Sequence, residues 1–526
     1  MASYVNKIIL GVLFILMPLG LAFDVNLIKS LTDGFHEGEY IGNLLNLEIY
    51  YSGMSSFPLL IHGAMDYVPS LLANKIVGEN HLLVWTRFLN VAAVALCWLL
   101  YLDISRVILR RQSEKVLWGF LFYFTFLWMA IASGTDPVSK QQAFLGTRDL
   151  FLILSLWGGA KAFSCDSGVR AYLYLVVAGF FAGLSLYWSY DRGVISAIWI
   201  LICALTLFFQ RRSLAALATL LAYVTAVLLV SQMRFFGSLI DNYNNIVYWV
   251  LNTSDVWFLA FKMKLTALPG AFAMLIFSLA VILHAIVRII YSTVIEKLPL
   301  VLGVIVVQLI FLSKMYSLPG FPTTYYFIWP SFLLLVLVPP KAKIAIEIDK
   351  CITQMIDQIR SAFKVLNLQD KLILGGAGVL VLILSSNSLV SGFGKIIQLI
   401  HPLPDEAMVD RNQFGVDILS KLGTGCVFLW SNEGVFTRLF NKPYCTKFPY
   451  AVYISKGEEV DALIYLKSNP PGVIVYDSPF WSMSIYGRHM RDRLPAIDRF
   501  IRENYVFHSS GTGYVFATPK ARQVSN

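Results

Sequence analysis

The chain has 526 residues, of which 57% are hydrophobic and 14% charged. Its mean hydropathy of +0.66 excludes a single soluble globular core. The net charge of +10 does not indicate nucleic acid, because Lys and Arg gather in short loops between apolar runs, as at Arg106, Arg110 and Arg111 and at Arg211 and Arg212. A polytopic membrane protein fits all three observations.

In chain order, Lys7 leads into an apolar run to about residue 23, long enough for a first, uncleaved span. Further apolar runs predict spans near 83–104, 116–134, 150–164, 171–189, 194–210, 214–232, 266–290, 298–313, 325–339 and 372–389, about eleven in all. The basic stretches at the N-terminus, 105–115, 161–170, 210–213, 288–297 and 340–371 fall on one side, which the positive-inside rule makes cytoplasmic. The opposite side receives 24–82, 135–149, 190–193, 233–264, 314–324 and everything beyond about residue 390.

Two outer pieces are large enough to fold. In the first loop, 24–82, the segment 57–72 reads as an interfacial amphipathic helix. The tail alternates apolar strands at 426–430, 472–476 and 513–518 with helical patterns at 456–467 and 494–504, which predicts a small α/β unit. The expected fold is therefore an all-α polytopic membrane domain over 1–390 and an extracytoplasmic α/β domain over 391–526.

Four outer turns concentrate charge on one membrane face. The first holds Asp33, His36, Glu37 and Glu39 within seven residues, followed by Tyr40. There one carboxylate can take a proton from an acceptor hydroxyl while another, or His36, steadies a metal ion or a phosphate leaving group; the alternative is a solvated loop with a turn at Asp33. The second turn carries Arg148 and Asp149 after Asp136 and Lys140, where arginine suits phosphate and the alternative is an ion pair capping a span. The third, Tyr190, Asp191 and Arg192, sits between two spans with almost no loop, so its charges lie at or below the interface and face a polar cavity or pair with each other. The fourth carries Lys314 ahead of Tyr325 and Tyr326, a phosphate contact or an ordinary interfacial belt, and Arg234 is a weaker candidate of the same kind. An anionic lipid-phosphate substrate needs cations at the interface and transfer to a hydroxyl needs a base; both are present.

The segment 36–40 resembles the acidic first-loop motif of GT-C-fold glycosyltransferases, which include protein mannosyltransferases, the lipid A aminoarabinose transferase and mannosyltransferases of the glycolipid-anchor pathway. Glu37 and Tyr40 match the Glu and Tyr of an Asp-Glu-x-x-Tyr form and His36 replaces its Asp, which leaves open whether Glu37, Glu39 or Asp33 is the base. The layout, and the tail stretches 432–436, 443–450, 472–477 and 513–516 with Tyr505, are similar too.

The resemblance implies a GT-C-like fold. It also implies inverting transfer from a polyprenyl-phosphate sugar to a glycan, lipid or protein acceptor on the extracytoplasmic face, in some members with a divalent cation, Mg or Mn. In that scheme Arg148, Arg192 or Lys314 holds the lipid phosphate. Asp149 and Asp191 orient those cations, with Tyr40 and Tyr190 behind them. Any metal falls to Glu37, Glu39 and Asp149. The expected location is a bacterial inner membrane with a cytoplasmic N-terminus and a periplasmic tail. A lipid-linked-glycan flippase or transporter, and a non-catalytic scaffold of envelope glycan assembly, are the alternatives. In the tail, Cys426 and Cys445 are candidates for a disulfide on an oxidising side. Arg488, His489, Arg491, Arg493 and Arg499 form either a basic patch for an anionic glycan or lipid head group or a solvated helix face.

Overall fold

The computed structural model describes residues 35–51, 57–77, isolated positions between 86 and 107, 148–165, 168–256, 269–290, 298–317, 329–338, 425–479, 484–485, 488–509 and 513–520. The helices are α1 (His36–Tyr51), α2 (Val68–Val77), α3 (Leu150–Phe163), α4 (Gly168–Trp188), α5 (Tyr190–Phe209), α6 (Ser213–Ser231), α7 (Leu239–Val256), α8 (Pro269–Ile290), α9 (Leu298–Ser317) and α10 (Trp329–Leu337). In the tail they are followed by α11 (Val435–Leu439), α12 (Glu459–Ser468), α13 (Met490–Arg493) and α14 (Pro495–Asn504).

Helices α4, α5 and α6 are long and apolar enough to cross a membrane, and α3 with much of α8 and α9 forms shorter apolar helices. Leu173, Leu201, Leu205, Leu217, Leu221 and Leu228 stand exposed on the outer faces of α4 to α6, a stable arrangement in hydrocarbon rather than water. Inside the bundle, small residues let backbones approach: a side chain on Gly179 would collide with the Thr219 carbonyl, and one on Gly183 with the Tyr223 carbonyl, both on α6. Trp199 of α5 fills the space between Gly159 of α3 and Gly303 of α9. The expected spans at 7–23, 116–134 and 372–389 lie outside the described residues, and 83–104 is described only at isolated helical positions.

The tail builds a four-stranded sheet from β1 (Val427–Leu429), β2 (Val473–Asp477), β5 (Tyr505–Ser509) and β6 (Val515–Pro519), with a separate hairpin of β3 (Ser484–Ile485) and β4 (Arg488–His489). The order is β1-β2-β6-β5: β1 runs parallel to β2, and the other pairs are antiparallel. Helix α11, two 3₁₀ turns and α12 connect the two parallel strands, the kind of crossover that such a pair requires. Cys426, beside β1, is joined by a disulfide to Cys445, whose N–H also bonds the Val427 carbonyl at 2.9 Å. Cys445→Ser is expected to cost about 3 kcal/mol, the loop-closure value for a short cross-link. Thermal unfolding of wild type and variant, with and without reductant, checks this: reductant should lower only the wild-type midpoint.

The segment 57–72 is not one amphipathic helix. It runs irregularly to Gly63, makes a 3₁₀ turn at Ala64–Tyr67 and enters α2 at Val68. The cause is local: Pro58 and the extended Gly63 (φ −72°, ψ 154°) break a helix, whereas Pro69 falls in the first turn of α2, where a missing N–H costs nothing. Phe35, Leu59, Leu60 and Tyr67 of this loop, Tyr248 and Trp249 of α7, and Trp430, Phe436, Tyr450 and Tyr453 of the tail share one buried core. The first loop and the tail thus fold against each other, with Gly434 lying backbone to backbone on Gly38 of α1.

A buried acid between the first loop and the tail

Helix α1 carries an unusual buried stripe: Glu39, Gly42, Asn43 and Asn46 recur at three- and four-residue spacing and so share one face. Each position has a defined role. Gly42 leaves room for the Tyr444 and Thr437 side chains of the tail. Asn46 accepts a hydrogen bond from the Tyr444 N–H at 2.9 Å, and Asn43 donates to the Tyr67 hydroxyl at 2.7 Å. Glu39 accepts the Tyr453 hydroxyl on Oε2 at 2.9 Å, while its Oε1 has no hydrogen-bond partner among the described residues.

Glu39 is buried, and burial pushes its carboxyl up to about 8. The Tyr453 hydroxyl pulls the other way, the nearby Asp66 raises the value further, and the Ile61 backbone N–H and the Arg148 charge lower it. Its place in the first turn of α1, at the positive end of the helix, is where an anion is least costly. Asp66 is itself fully buried in the 3₁₀ turn, so two acids sit close enough to sense each other in a buried site.

A second cluster forms where α4 meets α5. Ser189 alone separates these helices, in an extended conformation that throws the first turn of α5 back toward α3. The Asp191 carboxylate receives Arg148 at 2.9 Å, the Ser189 hydroxyl at 2.6 Å and Arg192 at 2.6 Å. Arg192 also pairs closely with Asp149, the residue capping α3, and its guanidinium lies 4.6 Å over the Phe311 ring of α9. Two arginines against two aspartates leave the cluster neutral, so an arriving phosphate is not repelled by uncompensated carboxylate. The arginines differ in access: the Arg192 side chain is 4% exposed and the Arg148 side chain 14%.

The two clusters are mechanically joined. Gly63 touches the end of α4 so closely that a Cβ there would fall 1.9 Å from the Tyr187 carbonyl oxygen. Asn245 of α7 bonds the Pro58 carbonyl and the Tyr190 hydroxyl, linking the first loop to the residue beside Asp191. Gly63→Val is expected to push the Asp66 turn off the α4 end and destabilise the protein by about 1–3 kcal/mol, the usual cost of overpacking. A lowered thermal midpoint in purified protein checks this, and an unchanged one would show that the contact is slack.

No known family profile matches the chain, and no curated protein does. Solved structures do align with it. ArnT from Cupriavidus metallidurans bound to undecaprenyl phosphate is 14% identical, covers 97% of this chain and 98% of its own, and gives a TM-score of 0.45. The same enzyme in the apo state is 15% identical over the same shares, with a TM-score of 0.46. The Archaeoglobus fulgidus oligosaccharyltransferase in the apo form is 13% identical and covers 97% of this chain and 74% of its own, with a TM-score of 0.49.

Of the residues singled out in the sequence, Glu37 and Glu39 are buried on α1, and Arg148, Asp149, Asp191 and Arg192 form the ion network beside Tyr190. His36 and Tyr40 lie on α1 and Lys314 on α9, with side chains outside the described residues, as is Asp33 altogether. Sequence reasoning missed Asp66, Tyr67, Asn43 and Tyr453. The polar spacing of Glu39, Asn43 and Asn46 was a usable signal for a buried helix face; nothing local marks Tyr453, whose partner is 414 positions away. Glu37, Glu39 and Asp149, the residues to which any divalent cation would fall, are not gathered into a group of three ligands among the described residues, and Asp149 pairs with Arg192. Of the tail arginines, Arg493 is structural, holding the Val452 and Ile454 carbonyls at 3.1 and 3.2 Å. Arg491 and Arg499 line a surface hollow together with Asp492, Asp498 and Glu503, which offset their charge.

Proposed function

We propose that this chain is a membrane glycosyltransferase of the GT-C type that moves a sugar from a polyprenyl-phosphate donor to a hydroxyl-bearing acceptor, with Glu39 as the base. The observation that carries the reading is the state of Glu39: a buried carboxyl raised to about 8, held by the Tyr453 hydroxyl on Oε2 and with no hydrogen-bond partner among the described residues on the equally buried Oε1. A general base works best when its pKa lies near the working pH, where enough of it is ionised and proton transfer is still downhill. An ordinary solvated glutamate is far more acidic.

In this reading the acceptor hydroxyl sits against Glu39 Oε1. Its oxygen attacks the anomeric carbon from the face opposite the phosphate, the bond from carbon to phosphate oxygen breaks, and polyprenyl phosphate leaves with that electron pair. The proton passes to Glu39. Arg148 meets the phosphate, because arginine offers a planar fork of donors and this one is the more accessible of the pair. Lys314, one turn beyond Phe311 on α9, is the second cation. Arg192 holds Asp149 and Asp191 in register. Exposed apolar faces on α4 to α6 favour a donor delivered on a lipid tail. The wider layout in this proposal has about eleven spans over 1–390, the site and the 391–526 unit on the extracytoplasmic face, and a bacterial inner membrane as the location.

Purified protein in vesicles, given a panel of polyprenyl-phosphate sugars and glycan, lipid and peptide acceptors, tests the reading. Formation of a new glycosidic bond that Glu39→Gln abolishes supports it. Movement of the lipid-linked sugar between leaflets with no bond formed would put a flippase in its place.

A further inference from the structure

The base proposed above belongs to the first loop, but its hydrogen-bond partner belongs to the tail. Tyr453 lies in a 3₁₀ turn, Ala451–Tyr453, that is held on every side. Arg493 grips the carbonyls on either side of it, those of Val452 and Ile454. The Tyr248 hydroxyl of α7 donates to its own carbonyl. The Trp249 ring stands edge-on at 5.3 Å, and the Tyr450 and Phe35 rings pack at 5.4 and 6.2 Å. A phenol locked this firmly presents its hydroxyl at a fixed point, and that point is Glu39 Oε2 at 2.9 Å.

We infer that Tyr453 is a positioning residue for transfer: the tail donates one hydrogen bond to Oε2 of Glu39, which fixes the carboxyl plane, turns Oε1 toward the acceptor and holds the acid in a usable ionisation range. The site is therefore incomplete without the tail. The inference rests on Glu39 as base, but its core, that Tyr453 sets the ionisation of Glu39, is measurable without any transfer. The groups facing Glu39 are Asp66 and Tyr67 of the 3₁₀ turn, Tyr444 and Tyr453 of the tail, the Ile61 backbone N–H and Arg148. Burial and the Glu39 charge keep the three tyrosines protonated far above neutrality, so within the working range Tyr453 acts as a donor only.

The test is a pH titration of full-length protein in detergent, reading the protonated-carboxyl band by infrared difference, with Glu39→Gln as the blank that assigns it. Tyr453→Phe keeps the ring and removes the donor. Its Glu39 midpoint is expected about one pH unit above wild type, the shift that loss of one charge-assisted hydrogen bond produces. Transfer at pH 7 should fall about tenfold and recover as pH rises. Tyr450→Phe removes a neighbouring hydroxyl that bonds the Phe35 carbonyl instead, and should leave the midpoint where it was. If Tyr453→Phe fails to fold, fluorotyrosine at position 453, a stronger donor of nearly the same shape, should move the midpoint down. Superimposed titrations for wild type and either Tyr453 variant, or an equal displacement in Tyr450→Phe, would overturn the inference. Full transfer by Glu39→Gln would instead remove the base assignment while leaving the midpoint comparison intact, so the two failures are distinct.

Discussion

Glu39→Gln is expected to lower transfer by about 10²- to 10⁴-fold, the contribution of a positioned general base, with little change in donor affinity. The same substitution should make the protein more stable at neutral and alkaline pH. The sign follows from the raised carboxyl: an unfolded glutamate has the model value of 4.5, whereas Glu39 in place titrates at about 8. Between those values the native chain holds a proton that the unfolded chain has released, so stability falls with rising pH by up to about 1.4 kcal/mol per pH unit and levels off above the upper value. Glutamine has no such proton. Thermal midpoints measured from pH 4 to 9 should therefore decline in wild type and stay flatter in Glu39→Gln. A gain of stability paired with a loss of turnover is the signature of a strained functional group. Glu39→Asp would retain the charge but shorten the reach, and should recover only part of the rate.

The second large effect separates the two arginines. Arg192→Leu strips the partner from Asp149 and one partner from Asp191 inside the helix bundle, and breaking a buried pair in this way costs about 3–5 kcal/mol. Low yield and a steeply lowered unfolding midpoint are expected. Arg148→Gln removes a partly exposed cation whose carboxylate partner keeps Arg192 and Ser189, so the fold should survive. In the proposed reaction Arg148→Gln raises the KM for the lipid-linked donor by about tenfold to a hundredfold, the worth of one charge-assisted phosphate contact. Equal effects of the two substitutions on folding would erase the division of labour between them.

Much of this architecture was legible in the sequence because membrane spans are long, uniform signals. The runs predicted at 171–189, 194–210 and 214–232 appear as α4, α5 and α6, with ends within a few residues. The tail strands were legible for a related reason: apolar runs near 426–430, 472–476 and 513–518 are bounded by Gly and Pro, and they became β1, β2 and β6. Strand β5 was missed. Its edge position leaves Val506 and Phe507 partly exposed, so 505–509 follows α14 with no clear alternation to mark it.

Residues around the acid were legible only in part, and the reason is again physical. Glu39 drew notice as one of several charges beside the first span, but what distinguishes it from Glu37 is its partners, and these come from distant segments. Asp66 was hidden within a stretch whose apolar residues suggested an interfacial helix, although Pro58 and Gly63 argued against one. Tyr453 belongs to a tail stretch that appeared similar to other tails without any assigned role. Burial then does the rest: a carboxyl becomes a base near neutrality only once the tail and first loop have closed around it.

A structure of the full-length protein in lipid with a polyprenyl phosphate bound would decide the matter. The phosphate is expected within hydrogen-bonding distance of Arg148, and the prenyl chain along the apolar faces of the helices. A cavity wide enough for one sugar is expected between that phosphate and Glu39 Oε1. A phosphate seated away from Arg148, or protein filling the space between Arg148 and Glu39, would contradict the proposed reaction.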